Sequence, residues 1–305
     1  MIWMNGKLVK WDEAKIHILN HGLHYGSSIF EGIRCYETDD GPAVFRLKDH
    51  IKRMFNGAKI IMMKIPFTEE EIYEGVKETV KANRMRECYI RPIVYYGYGE
   101  MGLSPLGNPV DFAIACWPWG TYLGEEGLKK GVRCKVSSWL RIDSRMLPSL
   151  VKVSANYVNS ILAKLEALDS GYEEAILLNF HGMVAEGPGE NIIIVKDGNL
   201  ITPPTSSGAL IGITKDSIIT MAKDLGITTI QRNILREQLL TADEVFFTGT
   251  AAEVTPIREI DGRVIGNGSR GPITERLQSE FFRVVHGENK NYLDWLDFVD
   301  TVGEN

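Results

Sequence analysis

Apolar and polar positions alternate along this chain with two periods, one near two residues and one near 3.6. Ile2, Trp3 and Met4 are followed by Asn5-Gly6 and then by Leu8-Val-Lys-Trp11, which predicts a hairpin with a type I′ turn. The runs Ile29–Thr38 and Ala43–Arg46 flank Asp39-Asp-Gly41 and predict a second hairpin. Leu47, Ile51, Met54, Ala58 and Ile61 recur at helical spacing. Thr68-Glu-Glu-Glu71 reads as a capping box that opens a helix to about Arg84. Two strands are predicted next, at Cys88–Tyr96 and Val110–Trp117.

Pro118-Trp-Gly120 to Gly131 is glycine-rich and carries Glu125 and Glu126, so it reads as an interdomain linker. Beyond it a helix is predicted from about Ser154 to Leu168. A meander of short strands follows at Ala175–Asn179, Met183–Glu186, Asn191–Val195 and Leu200–Thr202. Its turns are at His181-Gly182 and Asp197-Gly198, and its short connections make it antiparallel. A helix at Lys215–Gly226 interrupts, strands return at Val245–Thr248 and Val254–Ile260, and a last helix covers Ile273–His286. This is an α+β pattern. The expected domains are residues 1–118, small and mixed α/β, and 132–305, larger, β-rich and barrel-like, with 119–131 as the linker.

Length supports that division, because 305 residues exceed what one core usually serves, roughly 250–300 residues. Hydrophobic residues at 44% and charged residues at 24% exclude disorder, collagen and coiled coil. No apolar run approaches the roughly 20 residues of a membrane-crossing helix. The start lacks a basic region followed by an apolar stretch, so no signal peptide is expected. A net charge of −6 argues against nucleic acid as the partner. Cys35, Cys88, Cys116 and Cys134 are far apart, which suggests a reducing cytoplasm. His17 and His21 could share a helical face, but no further ligand lies at matching spacing, so no metal is expected.

Gly97-Tyr-Gly-Glu-Met-Gly102 matches a dinucleotide fingerprint. The following Leu103-Ser-Pro-Leu-Gly-Asn-Pro109 cannot supply the required helix, so the match is set aside. Four other segments carry candidate chemistry. Lys152 stands alone among Leu150, Val151, Val153 and Ala155. Desolvation would make it a neutral nucleophile able to form a Schiff base, or its stem lies on apolar surface with the head in water. Ala185-Glu-Gly-Pro-Gly-Glu-Asn191 sets two carboxylates in a turn. One could face a protonated nitrogen while the other fixes the loop, or both belong to an acidic surface turn. Gly212-Ile-Thr214 opens a helix, and Thr248-Gly-Thr-Ala-Ala252 follows a strand with small residues; each suits a phosphate or is only a turn. A lysine, a carboxylate and two phosphate cradles are together what pyridoxal 5′-phosphate (PLP) requires.

With these residues on the page, the chain resembles the branched-chain amino-acid aminotransferases, PLP enzymes of class IV and fold type IV. The landmarks run nearly end to end. They are His24-Tyr-Gly26, Phe30-Glu-Gly-Ile-Arg-Cys-Tyr36, Tyr89-Ile-Arg-Pro92, Lys152 before Asn156-Tyr157, Glu186-Gly-Pro-Gly-Glu-Asn191, Gly212-Ile-Thr214 and Thr248–Ala252. The one departure is Thr248 where a serine is often seen.

The resemblance implies a two-domain α+β fold and a role for each matching position. Lys152 matches the Schiff-base lysine and proton shuttle, Glu186 the partner of the pyridine nitrogen, and Tyr157 the partner of the phenolic oxygen. Arg53, Ile213, Thr214 and Thr250 match the phosphate ligands. Phe30, Trp119, Tyr122 and Tyr157 match the wall of the substrate pocket, with Gly32 keeping it open. Tyr25 and Leu103 match residues that enter from a neighbouring subunit. Tyr89 and the backbone of Thr250 and Ala251 match the α-carboxylate site, and Arg91 receives the distal carboxylate of glutamate. The implied reaction moves the amino group of L-leucine, L-isoleucine or L-valine to 2-oxoglutarate in the cytoplasm, with a homodimer as the minimal active unit and a hexamer as a larger alternative. A PLP lyase such as aminodeoxychorismate lyase, a D-amino-acid transaminase and a non-catalytic relative are the competing readings. Tyr89 with Arg91, and the intact Lys152 and Glu186, favour the first.

Overall fold

The computed structural model describes residues 1–120 and 122–300. Thr121, inside the predicted linker, and 301–305, at the end of the predicted second domain, lie outside the described residues. The chain forms two compact units. One comprises Met1–Trp119, Val151–Ala155 and the chain from Val284 onward; the other comprises Gly120–Leu150 and Asn156–Arg283. The expected contiguous domains 1–118 and 132–305 thus meet a chain that crosses between units more than once. The physical cause is strand pairing. Leu296–Phe298 adds to the edge strand Gly41–Phe45, and Val153 bridges to Ile29, so both segments belong with the first sheet. The 119–131 stretch also holds a short helix, Gly124–Lys130.

The first unit is built on an antiparallel sheet. Its strands run in the order Leu296–Phe298, Gly41–Phe45, Ile33–Thr38, Cys88–Tyr96, Val110–Trp117, Ile2–Met4 and Lys7–Val9. Asn5 and Gly6 both have positive φ, as the type I′ turn requires. The predicted strand Ile29–Thr38 breaks at Glu31-Gly32 into Ser28–Phe30 and Ile33–Thr38, both paired to Cys88–Tyr96. The helices Leu47–Ile60 and Glu69–Ala82 cover one face of the sheet. Thr68 and Glu71 form the predicted capping box. The core between the layers holds Ile33, Leu47, Ile51, Met54, Ile72, Val76, Ile90, Phe112 and Ile114.

The second unit is built on a mixed sheet. Its strands run in the order Val184–Glu186, Glu174–Leu178, Val132–Val136, Glu253–Ile260, Glu244–Gly249, Asn191–Lys196, Asn199–Thr202 and Thr229–Gln231. The predicted continuous meander is corrected here. Its two hairpins form, but Glu174–Leu178 with Val184–Glu186 and Asn191–Lys196 with Asn199–Thr202 stand at different places in the sheet. Three strands separate them, because Asn191–Lys196 pairs instead with Glu244–Gly249. Three pairings are parallel: Val132–Val136 with each neighbour, and Asn199–Thr202 with Thr229–Gln231. A parallel pair needs a long crossover, and the helix Ile213–Asp224 occupies one of them. Ile176, Val184, Ile192, Ile194, Val245, Phe247 and Ile257 supply the core.

Candidate active site

In the first unit, Tyr89 and Arg91 share one side of the strand Cys88–Tyr96, being two residues apart. Tyr89 pairs in register with Trp117, and its ring lies 5.3 Å from Trp117 and 5.1 Å from Trp119. The Arg91 guanidinium stacks 4.6 Å from the centre of Phe30, 5.4 Å from Tyr89 and 5.9 Å from Trp117. Its Nη2 donates to the Tyr89 hydroxyl at 3.4 Å. Its Nε is buried with no hydrogen-bond partner among the described residues, a state that calls for an anionic or polar occupant. Gly32 has a specific reason to be glycine, because a Cβ there would stand 1.9 Å from the Tyr89 hydroxyl oxygen.

Lys152 joins this group. Its backbone carbonyl accepts from the Phe30 N–H at 3.2 Å, and its ammonium lies 5.0 Å from the centre of the Phe30 ring. The side chain is half-buried, a middle course between the two sequence readings. Arg53 projects from the helix Leu47–Ile60 and is gripped by Glu31. Nε donates to Oε1 and Nη2 to Oε2, both at 2.7 Å. His50 closes the clamp with Nδ1 2.8 Å from Glu31 Oε2. Burial alone would raise the Glu31 carboxyl. The Arg53 charge and the hydrogen bonds from Arg53 and His50 outweigh it and hold Glu31 well below the usual carboxylate range. Burial lowers His50, the Glu31 carboxylate opposes this, and the charges of Arg53 and Lys152 add to the lowering. Tyr25, whose hydroxyl donates to the Met101 carbonyl at 3.0 Å, and Leu103, 84% exposed, lie on the surface of this unit.

In the second unit Glu186 is buried at the end of its strand and held by donors from Arg141, Leu210 and Asn191. Arg141 Nε lies 2.7 Å from Oε1, while the Leu210 N–H at 2.9 Å and Asn191 Nδ2 at 3.2 Å reach Oε2. Asn191 Nδ2 also donates to the Leu210 carbonyl, and its Oδ1 would stand 1.7 Å from a Cβ on Gly212. That approach demands glycine just before the helix Ile213–Asp224 and ties the helix start to Glu186. Ile213 and Thr214 are buried in its first turn. Thr250 and Ala251 are half-buried in the turn after Glu244–Gly249, beside the buried Ala252. Thr248 Oγ1 is buried there with no hydrogen-bond partner among the described residues. Tyr157 begins the helix Tyr157–Asp169, and the exposed Tyr122 has the Lys164 ammonium 5.5 Å from its ring centre.

Sequence reasoning missed Glu31, His50, Trp117, Arg141 and Lys215. Arg141 carried a faint signal as the one charge in Trp139-Leu-Arg-Ile142. Lys215 carried a clearer one, since a cation in the first turn of a helix opposes the dipole. Burial lowers the Lys215 amine, with the charges of Glu186 and Asp216 opposing. The glycines of the dinucleotide-like motif have a packing reason. A Cβ on Gly97 would stand 2.3 Å from Asp111 Oδ2, and one on Gly99 would stand 2.5 Å from Asn108 Oδ1. His21 bonds to Ser27 Oγ and the Gly102 carbonyl, and His17 stacks on Tyr98.

The donor set can be tested against PLP group by group. In the first unit Arg53 offers a cation to a phosphate; in the second, the small-residue turns at Thr214 and Thr250 and the buried Thr248 hydroxyl, with no hydrogen-bond partner among the described residues, offer donors to one. In the first unit the Lys152 amine, on the Phe30 ring, would suit an aldehyde; in the second the buried Glu186 carboxylate would suit a pyridinium and the Tyr157 hydroxyl a phenolate. The residues fit the group.

Comparison with known proteins points the same way. The family described as Amino-transferase class IV matches residues 28–260. The branched-chain-amino-acid aminotransferase of Escherichia coli (strain K12) is 45% identical over 300 residues, covering 98% of this chain and 97% of that protein. A crystal structure of the Escherichia coli enzyme superposes with a TM-score of 0.96 at 45% identity, covering 98% of this chain and 99% of that one. The branched-chain aminotransferase of the thermophilic archaeon Thermoproteus uzoniensis, solved with norvaline, gives 0.94 at 46% identity, covering 98% of this chain and 99% of that one. The PLP-form of the branched-chain amino acid aminotransferase from Thermobaculum terrenum gives 0.92 at 36% identity, covering 98% of each chain.

Proposed function

The chain belongs to the class IV aminotransferases, and from that premise we propose that it is a PLP-dependent branched-chain-amino-acid aminotransferase. It moves the amino group of L-leucine, L-isoleucine or L-valine to 2-oxoglutarate, giving the branched 2-oxo acid and L-glutamate. PLP, when bound, would supply an electron sink for the substrate α-carbon and a carrier for the amino group. Lys152 would hold the cofactor aldehyde and carry the proton at the substrate α-carbon. Glu186 keeps the ring nitrogen protonated; Arg141, Asn191 and the Leu210 N–H fix its two oxygens for that work. Tyr157 donates to the phenolic oxygen. Arg53, with Ile213, Thr214 and Thr250, holds the phosphate, and the Glu31–His50 clamp fixes the Arg53 rotamer. Tyr89 and the backbone of Thr250 and Ala251 hold the α-carboxylate.

One observation carries the substrate assignment. A single guanidinium, Arg91, is enclosed by Phe30, Tyr89 and Trp117, and its Nε lacks a partner among the described residues. A branched aliphatic side chain packs on the rings, and the distal carboxylate of glutamate reaches the cation, so one apolar pocket serves both half-reactions. Phe30, Trp119, Tyr122 and Tyr157 complete the wall. Arg91→Ala is expected to lower kcat/KM for L-glutamate by about 1.5–3 kcal/mol, roughly ten- to hundred-fold, with a much smaller change for L-leucine. Equal losses for both substrates would mean that Arg91 holds the fold and does not read the side chain.

The minimal active unit is a homodimer. Tyr25 and Leu103, exposed on the single chain, suit a role in the neighbouring subunit's pocket, and a hexamer is compatible with the same contact. Among the described residues no helix is long and apolar enough to cross a membrane, and four free buried cysteines accord with work in the cytoplasm.

A further inference from the structure

The Gly-Pro-Gly turn carries a second carboxylate to which the reaction assigns no part. Glu190 is only 3% exposed. Its Oε2 accepts from the Gly189 N–H at 3.1 Å, its carbonyl accepts from the Gly187 N–H at 2.8 Å, and a Cβ on Gly187 would stand 2.6 Å from its Oε2. Across the sheet, Asn191 pairs with Thr248, which sets Glu190 beside Gly249. A Cβ on Gly249 would stand 3.6 Å from Glu190 Cγ and 3.4 Å from the Gly189 carbonyl. The Glu190 side chain therefore packs against Gly249, the residue before Thr250. We propose that Glu190 is a positioning residue for the cofactor phosphate: uncharged, it packs the 187–190 turn against the 248–250 turn, and charged, it repels the phosphate held there. This rests on the reading of Thr250 as a phosphate ligand.

The surroundings decide which state holds. Facing Glu190 are Glu174, Lys164, Glu186 and the Cys134 thiol, and Glu253 is buried opposite Gly249 in the register. The Lys164 ammonium is committed to Glu174 at 2.8 Å and to the Glu173 carbonyl at 2.7 Å. Burial raises Glu174 as well, but there the Lys164 ammonium and the Ala175 N–H oppose it, whereas among the described residues no cation bonds to Glu190. Burial, followed by the negative charge of Glu174, pushes Glu190 up to about 8, with Glu186 adding and the Gly189 N–H and Lys164 opposing. Burial therefore favours the protonated carboxyl near neutral pH, and ionisation at higher pH would add a negative charge near a bound phosphate.

The test compares full-length wild type with Glu190→Gln, each stripped of cofactor and titrated calorimetrically with pyridoxamine 5′-phosphate. This ligand makes no covalent bond to Lys152, so its affinity reports the non-covalent contacts alone. Other pH-dependent contacts are shared by both proteins and cancel in the ratio of their Kd values. That ratio is expected to be near one at pH 7 and to rise about tenfold per unit above pH 8, with the wild type weakening. A ratio independent of pH overturns the proposal while leaving the cofactor assignment intact. Failure of both proteins to bind at any pH overturns the cofactor assignment and the proposal with it. If Glu190→Gln does not fold, infrared difference spectra of the wild type read the same proton. A protonated-carboxyl band must vanish with the midpoint of the affinity loss, and its absence overturns the proposal.

Discussion

At the scale of single residues, geometry converts residue types into roles. The role of Gly32 in keeping a pocket open is implied only by the family resemblance. The structure supplies its reason, the Tyr89 hydroxyl that would stand 1.9 Å from an added Cβ. Gly32→Ala is expected to cost about 1–3 kcal/mol in stability, as overpacking does, and to raise KM for every substrate by displacing Tyr89. Chemical denaturation and steady-state kinetics check the two effects separately. Glu186→Gln keeps the shape of the side chain but not its charge. Cofactor binding should persist while kcat falls by a factor on the order of 10²–10³, the size of a lost charge-stabilising contact. Unchanged kcat would remove Glu186 from the chemistry. Arg141 and Glu31 were not legible, because nothing local in Trp139-Leu-Arg-Ile142 or Phe30-Glu-Gly32 says which distant side chain each one meets.

At the scale of elements, local signals were read well wherever period and cap agreed. The strands Cys88–Tyr96 and Val110–Trp117 match their predicted bounds because both are long and clearly delimited. The capping box placed the start of Glu69–Ala82 for the same reason. Thr68→Ala should cost about 1 kcal/mol in denaturant unfolding and leave kcat unchanged. The helix Leu47–Ile60 carries a different prediction through His50 and Arg53. Burial depresses His50 from its ordinary value of 6.5, so the unfolded chain binds the proton first and stability falls as pH drops below about 6.5. The depressed Glu31 adds a further loss as pH falls below about 4.5 toward its folded value. Melting temperature should therefore decline from pH 7 to 5, and His50→Gln should flatten the first part of that decline. An unchanged slope in the variant would separate His50 from acid sensitivity. Some short elements were missed. Val132–Val136 has a clean alternation but only five residues, and its parallel partners are distant in sequence.

At the scale of the whole molecule, the number of units was legible from length and the composition of the 119–131 stretch, and their membership was not. Membership depends on which edge strand Leu296–Phe298 joins and on the bridge from Val153 to Ile29, and neither leaves a periodic trace. The same limit explains the sheet order of the second unit, where hairpins adjacent in sequence separate in space. The proposed chemistry is independent of those errors because it is assigned to short motifs, at Lys152, Glu186, Thr214 and Thr250, whose local geometry does not depend on strand order. The central claim is amino transfer between L-branched-chain amino acids and 2-oxoglutarate. It is tested most directly by incubating the PLP-loaded protein with a panel of L- and D-amino acids plus 2-oxoglutarate and quantifying 2-oxo acid and glutamate. Stoichiometric branched 2-oxo acid and L-glutamate from L-leucine, L-isoleucine and L-valine, with no turnover of the D-series, is the predicted result. Turnover of D-amino acids, or no glutamate from any of the three L-substrates, would contradict it.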